Sequence, residues 1–410
     1  MNAKMLWQYA RLVVEVGINV QKGQPIMINC PVDRADFARM LVTAAYDAGA
    51  KEVHLNWRDD YCARQRGLKA DDSVFDSVHP WEVMKRMELA KEGVGCISVA
   101  ASDPENMRGV DPDRLRRANM AAGRDLKDFM RIQMSNGIPW CVVSVPIASW
   151  AKKVFPELSE DEAMERLWEE IFKAVRITED GDAVAEWRAH CDRIEGFAAR
   201  MTEYDFAELH YKNSIGTDLT VRMPENHMWL AGGDYCKGVK FVANMPTEEV
   251  FSAPLRTGVE GTLVAAKPLV LNGNVIDGIR FTFREGRIVE IHADKGEETL
   301  RAEVELDEGS HYLGEIALVP YDSPISNSGI LFYNTLFDEN AACHFAFGEA
   351  YPACIKGGDD KDVEELKAAG INVESNTHVD FMVGTRDLEI VGTTRDGRKI
   401  KVFENGNFAI

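Results

Sequence analysis

Short apolar stretches alternate with helix-length amphipathic ones through the first half of the chain, and this alternation narrows the possible folds. Pro25-Ile-Met-Ile-Asn29 is nearly all apolar, as expected of a strand buried on both faces. Apolar positions at helical spacing run over residues 3–16, where Gly17 ends them, and over Asp36–Asp47, where Gly49 does. Glu52–Trp57, Gly95–Val99 and Trp140–Val145 read as further strands, with a helix across roughly 111–135. Strands alternating with helices of this length imply right-handed crossovers and a mainly parallel sheet. Residues 1–204 are therefore expected to form an α/β domain of doubly wound type. Ligand clefts in such folds lie at the carboxyl ends of the strands. No G-x-G-x-x-G and no G-x-x-x-x-G-K-[ST] follows any of these strands, so the sequence supports no nucleotide site.

Two acidic helical stretches, about 159–175 and 179–203, precede a change of character. Glu208–Tyr211, Asp218–Arg222, Gly261–Ala265 and Gly278–Phe283 are short strand-like runs bounded by Gly, Asn and Asp. Between Phe283 and Ile291, Glu285-Gly286 separates two alternating runs and marks a hairpin. The expected architecture is thus α/β plus α+β, with a β-rich catalytic domain over residues 205–410. No internal repeat or low-complexity segment is present.

Hydrophobic residues make up 45% of the 410 positions, enough for a sizeable core. Asp and Glu outnumber Lys and Arg by 67 to 47, a formal charge of −20. Such a surface repels phosphate backbones and anionic headgroups, which argues against nucleic-acid and membrane partners. Met1–Gly17 lacks the pattern of a signal peptide, and no apolar run approaches the ~18 residues of a membrane span. The eight cysteines are scattered without a C-x-x-C pair, consistent with a reducing cytoplasm.

Potential ligands gather in three patches of the second half. In Asn244–Pro254, Glu248 and Glu249 are adjacent, so in an extended segment only one can aim into a site. Alternatively, both are surface carboxylates on a loop. In the second patch, Glu315 sits among Leu313, Ile316, Ala317, Leu318 and Val319. A carboxylate there is costly to bury unless it meets a cation or hydrogen-bond donors, or it alternates out to solvent. Residues 339–350 (ENAACHFAFGEA) read as a helix with Asp338 as its N-cap, which would put His344 and Tyr351 on one face, two turns apart. Both could equally be ordinary core residues. In the third patch, His378-x-Asp380 on a strand places both side chains on one face, about 7 Å apart at the backbone, with Val379 and Phe381 toward the core. H-E-x-x-H is absent. Together the patches offer Glu, His and Asp in a number that exceeds one ion's needs and points to two divalent ions sharing a carboxylate.

Five segments carry a resemblance: Met5-Leu-Trp-Gln-Tyr-Ala-Arg-Leu12, Asn244-Met-Pro-Thr-Glu-Glu-Val-Phe-Ser-Ala-Pro254, Leu313-Gly-Glu-Ile-Ala-Leu-Val319, Asn334-Thr-Leu-Phe-Asp-Glu-Asn-Ala-Ala-Cys-His344 and Asn376-Thr-His-Val-Asp380. With them the chain resembles the thermophilic metallo-aminopeptidase family of aminopeptidase T and aminopeptidase S type. The resemblance implies two divalent ions per subunit (Zn, Co, Mn or Mg). It implies ligation by Glu249, Glu315, Glu339, His344, His378 and Asp380, and catalysis by Glu315 and Tyr351. It further implies homodimers acting on short peptides with a free amino terminus. In that scheme Glu315 or Glu248 moves a proton to the leaving amine. The alternatives are hydrolysis of a non-peptide amide, or a non-catalytic, metal-stabilised binding protein.

Overall fold

The computed structural model describes residues 2–103, 105–271 and 274–410. The chain divides into two compact units, Met1–Ala189 with Gly233–Pro246, and His190–Gly232 with Thr247–Ile410. The division falls inside the long helix Ala183–Tyr204.

The first unit is built on a five-stranded sheet in the order Glu52–Arg58, Pro25–Pro31, Gly95–Val99, Trp140–Val143, Asn244–Met245. Every pairing in it is parallel. The apolar run behaves as its composition requires: Ile26, Met27, Ile28 and Cys30 are all buried. Helix Ala35–Asp47 buries Phe37, Ala38, Leu41, Ala44 and Ala45, a single stripe at helical spacing. The first helix, Ala3–Leu12, is capped by Asn2, whose side chain accepts from the Lys4 N–H, and Val13–Gly17 continues it in wider turns. The helical stretch over 111–135 is two helices, Pro112–Asp125 and Lys127–Met134, parted at Leu126. Among the described residues no helix is long and apolar enough to cross a membrane.

The second unit holds two larger antiparallel sheets. One has eight strands, in the order Arg287–His292, Arg280–Arg284, Val259–Val264, Asp218–Arg222, Phe206–Lys212, Glu389–Thr394, Lys399–Glu404, Asn407–Phe408. The Arg280–Arg284 and Arg287–His292 strands form the expected hairpin, with Glu285 at φ 47° and Gly286 at φ 80° in its turn. The other sheet runs in strict chain order: Leu230–Ala231, Val250–Ser252, Leu313–Leu318, His344–Gly348, His378–Met382. One core joins the two sheets, with Leu209, Leu263 and Phe281 from the first meeting Ile316, Phe345, Phe347 and Phe381 from the second. The Phe281 ring lies 5.2 Å from that of Phe381 and 6.2 Å from that of Phe347. Burial of each such side chain is worth on the order of 2 kcal/mol.

That core corrects the helix expected over 339–350. Only Glu339–Ala341 is helical, as a single 3-10 turn, and His344–Gly348 is a strand. Phe345 and Phe347 alternate with His344, Ala346 and Gly348, which is the two-residue period of a strand. Burial of the two rings overrides the helix propensity of the neighbouring alanines. Asp338 therefore caps no long helix; it ends the short helix Thr335–Asp338. His344 and Tyr351 do not share a helix face, since Tyr351 lies beyond the end of the strand.

Candidate metal centre

The sheet that buries its aromatic side chains on one face collects ionisable groups on the other. Along His378–Met382, Val379 and Phe381 enter the core, so His378 and Asp380 project together from the opposite face, as the spacing foretold. The register then aligns the strands: Glu315 pairs with Ala346, and Ala346 with Asp380. A bulge between Leu313 and Glu315 sets this register. Two carboxylates thus flank one small residue on the strand between them. His344 stands two positions from Ala346 and pairs with Ala317 and Met382.

The side chains converge. Nε2 of His378 is 3.0 Å from Oε2 of Glu315 and 3.5 Å from Oδ1 of Asp380, and Nε2 of His344 is 3.4 Å from Oε2 of Glu249. Two groups of three, Glu249–Glu315–His344 and Glu315–His378–Asp380, each present ligand atoms within 4.8 Å of one another. Glu315 belongs to both. Each imidazole is oriented from behind: Nδ1 of His344 donates to the Ala342 carbonyl at 3.1 Å, and Nδ1 of His378 to the Glu349 carbonyl at 2.7 Å. Those bonds fix a proton on each Nδ1 and turn both Nε2 atoms toward the cluster, the orientation that suits metal ligation.

Electrostatics point the same way. Burial, with the charges of Glu249 and Asp380 added, pushes Glu339 well above the usual carboxylate range. Burial also raises Glu315. For Asp380 burial acts upward, but the hydrogen bond and charge of His378 outweigh it and hold the group low. Burial pulls both imidazoles down, yet the carboxylates prevail: His344 is raised to about 10, and His378 well above its ordinary value. Four carboxylates and two imidazoles are crowded together in a buried site, where they must share protons to limit their mutual repulsion. Divalent cations are what such a donor set fits.

The expected site residues come together, with differences of detail. Glu315 does not alternate out to solvent, being 5% exposed. Glu248 and Glu249 are not a surface pair. Glu248 is 1% exposed and turns to His190 (3.6 Å), while Glu249 turns to His344. Glu339 lies in the field of the cluster but outside both groups of three. Tyr351 reaches the site through its ring, 5.4 Å from that of His378, and burial together with Glu315, Asp380, Glu339 and Glu249 keeps its hydroxyl protonated.

Sequence reasoning missed Asn340. Wholly buried, it accepts the Glu248 N–H at 2.7 Å and donates to the Leu336 carbonyl at 3.1 Å and to Glu339 at 3.4 Å, tying the segments of Glu249 and Glu339 together. Its position between Glu339 and an apolar run was the one available signal.

The family described as thermophilic metalloprotease (M29) matches residues 2–408 of the chain. The chain is 48% identical over 402 residues to aminopeptidase AmpS of Bacillus subtilis (strain 168), covering 98% of this chain and 97% of that protein. Against aminopeptidase 2 of Geobacillus stearothermophilus the identity is 41%, over 99% of this chain and 98% of the other. The structure resembles that of wild-type AmpT from Thermus thermophilus with a TM-score of 0.93 at 37% identity, over 99% of each chain. A match of this extent means that the chain belongs to the thermophilic metalloprotease (M29) family and is a hydrolase of peptide bonds.

Proposed function

We propose that this chain is a dinuclear aminopeptidase that releases amino-terminal residues from short peptides. The observation that carries the reading is the place of Glu315 in both ligand groups, since a carboxylate can offer one oxygen to each of two ions. Glu249 and His344 would complete one ion's protein ligands, and His378 and Asp380 the other's, with Glu339 as a further contributor. Zn, Co, Mn and Mg all accept donors of this kind, with imidazole favouring the first three. Bound there, divalent ions supply Lewis acidity, which activates water and polarises the peptide carbonyl.

The chain's own groups do the rest. Tyr351, its phenol protonated, would donate a hydrogen bond to charge developing on the carbonyl oxygen. Glu315 would act in the reaction as the shared ligand; with both of its oxygens engaged it would not also carry the proton to the leaving amine. The carboxylate-rich site favours a peptide's cationic amino terminus. The names of the relatives support the aminopeptidase assignment, and a homodimer is what the family resemblance implies. Eight free cysteines fit a cytoplasmic location.

The test is removal and return of metal. Chelated protein should lose cleavage of aminoacyl amides and regain it with Co, Zn, Mn or Mg, and N-acetylated substrates should resist. Cleavage that survives chelation, or ignores N-acetylation, would overturn the reading.

A further inference from the structure

His378, a ligand in the proposed centre, opens the strand His378–Met382, which stands at the end of its sheet's strand order and pairs with His344–Gly348 on one side. His344 lies on a strand with neighbours on both sides, and its side chain is 1% exposed against 24% for His378. An edge strand has one ladder to hold it, so much of what fixes its first residue must come from outside the sheet. Residues 371–377, which lead into it, form neither helix nor strand. The carboxylate of Asp307, in the turn after helix Glu297–Val304, fastens that segment. Its Oδ1 accepts the Ser310 N–H at 2.8 Å and the hydroxyls of Ser310 and Ser375 at 2.7 and 2.9 Å. Its Oδ2 accepts the Asn376 N–H at 2.7 Å and the Asn376 Nδ2 at 3.0 Å. Burial acts to raise the pKa of Asp307, but the Asn376, Ser310 and Ser375 donors outweigh it and hold the group at about 2. The carboxylate is therefore ionised at neutral pH, where its hydrogen bonds are stronger than those of a neutral acceptor.

We propose that Asp307 is a positioning residue: it anchors the segment entering His378 and so sets the affinity for the ion that His378 and Asp380 would bind, leaving the ion of Glu249 and His344 little affected. The proposal rests on the dinuclear reading and adds to it a residue outside the ligand set. The path from Asp307 to the imidazole is short. Ser375 and Asn376, both held by Asp307, precede Thr377, whose carbonyl accepts the Glu349 N–H at 2.8 Å. The Glu349 carbonyl accepts Nδ1 of His378 at 2.7 Å, and the Glu349 carboxylate accepts the Ser375 N–H at 2.7 Å. The backbone that orients the imidazole and the backbone that Asp307 grips are thus one hydrogen-bonded unit. His344 is oriented independently, by the Ala342 carbonyl two residues before it.

The experiment measures Zn affinities of the full-length protein by competition with a chelating indicator. Asp307→Asn keeps the side chain's shape but removes its charge and sets an amide N–H against donors that need an acceptor. It should weaken one of the two Zn sites by about tenfold or more, the size typical of losing a group that orients a ligand, and leave the other within about threefold. Ligand variants assign the site. In His344→Ala, which retains the His378 ion, Asp307→Asn should weaken the remaining site by that factor. In His378→Ala it should change the remaining site by less than about threefold. Cleavage by Asp307→Asn should recover as Zn is raised to saturation, which damage to the fold would not allow. Should Asp307→Asn not fold, Asn376→Ala, which deletes one donor to the carboxylate, decides the matter: the same site should weaken by about threefold or more, and a smaller change overturns the proposal. Equal weakening of both sites, or affinities of Asp307→Asn within about threefold of the parent, also overturn it. A parent protein with one Zn site overturns the dinuclear reading alone; Asp307 then keeps its role only if that site weakens by about tenfold.

Discussion

Glu315 and Asp380 face each other across a single alanine: each pairs in register with Ala346 on the strand between them. The small side chain leaves the space above the middle strand open, so that groups from the outer strands can meet there. Ala346 is completely buried, and a larger residue would occupy that space. Ala346→Leu is expected to reduce bound metal and to lower kcat/KM by roughly 10²-fold or more, as displacement of reacting groups by about 1 Å does. Elemental analysis beside a kinetic assay checks both. Normal metal content with normal rate would show that the space is not used.

With His344 as a ligand, as proposed, metal binding should depend on pH. Burial lowers the imidazole's pKa, but the Glu249 hydrogen bond and the charges of Asp380, Glu249 and Glu315 raise it from 6.5 to about 10 in the metal-free protein. A raised pKa stabilises the metal-free fold below pH 6.5, and that contribution is lost as pH rises through about 10. The proton must leave when the imidazole binds an ion, so affinity should climb with pH across this window. Calorimetric titration in buffers of different ionisation enthalpy should show proton release at neutral pH. Heats independent of the buffer would contradict it.

The sequence revealed some parts of this arrangement more readily than others, for physical reasons. The parallel strands could be read because burial on both faces leaves an all-apolar run, as at Pro25–Asn29. His378-x-Asp380 could be read because strand period alone places two groups on one face. The strand His344–Gly348 was obscured by its alanines and by a short neighbouring helical turn; the phenylalanine alternation was the contrary signal. The placement of Glu315 over Ala346 depends on pairing register and on a bulge, which only the partner strands determine. Asn340 acts through backbone groups distant in sequence, and no local pattern announces that.

Tyr351 touches the site through a ring that also packs near Phe251, 6.0 Å away. Tyr351→Phe keeps this packing and removes the hydroxyl alone. A donor used only in the transition state affects kcat rather than binding. The expected result is a kcat lower by roughly 10²-fold, with KM and metal content little changed. Turnover within about threefold of the parent would leave the residue a packing element.

Gly348 pairs with His378 and has φ 110°, where a Cβ would lie 2.0 Å from the Thr377 carbonyl oxygen. That oxygen belongs to backbone and cannot step aside without moving the segment that carries His378. Gly348→Ala is therefore expected to cost more than about 1 kcal/mol of stability, seen as a lower denaturation midpoint, and to weaken metal retention. An unchanged midpoint would mean that the strand relaxes freely.

In the proposed dinuclear site Glu315 would be held in common by two ions. Metal counting by elemental mass spectrometry, on full-length protein saturated with Zn or Co and freed of excess, addresses it most directly. The expected count is two ions per chain, falling toward one in His344→Ala and in His378→Ala, because each imidazole belongs to a different group. One ion per chain in the parent protein, or both ions retained in either variant, would contradict the account.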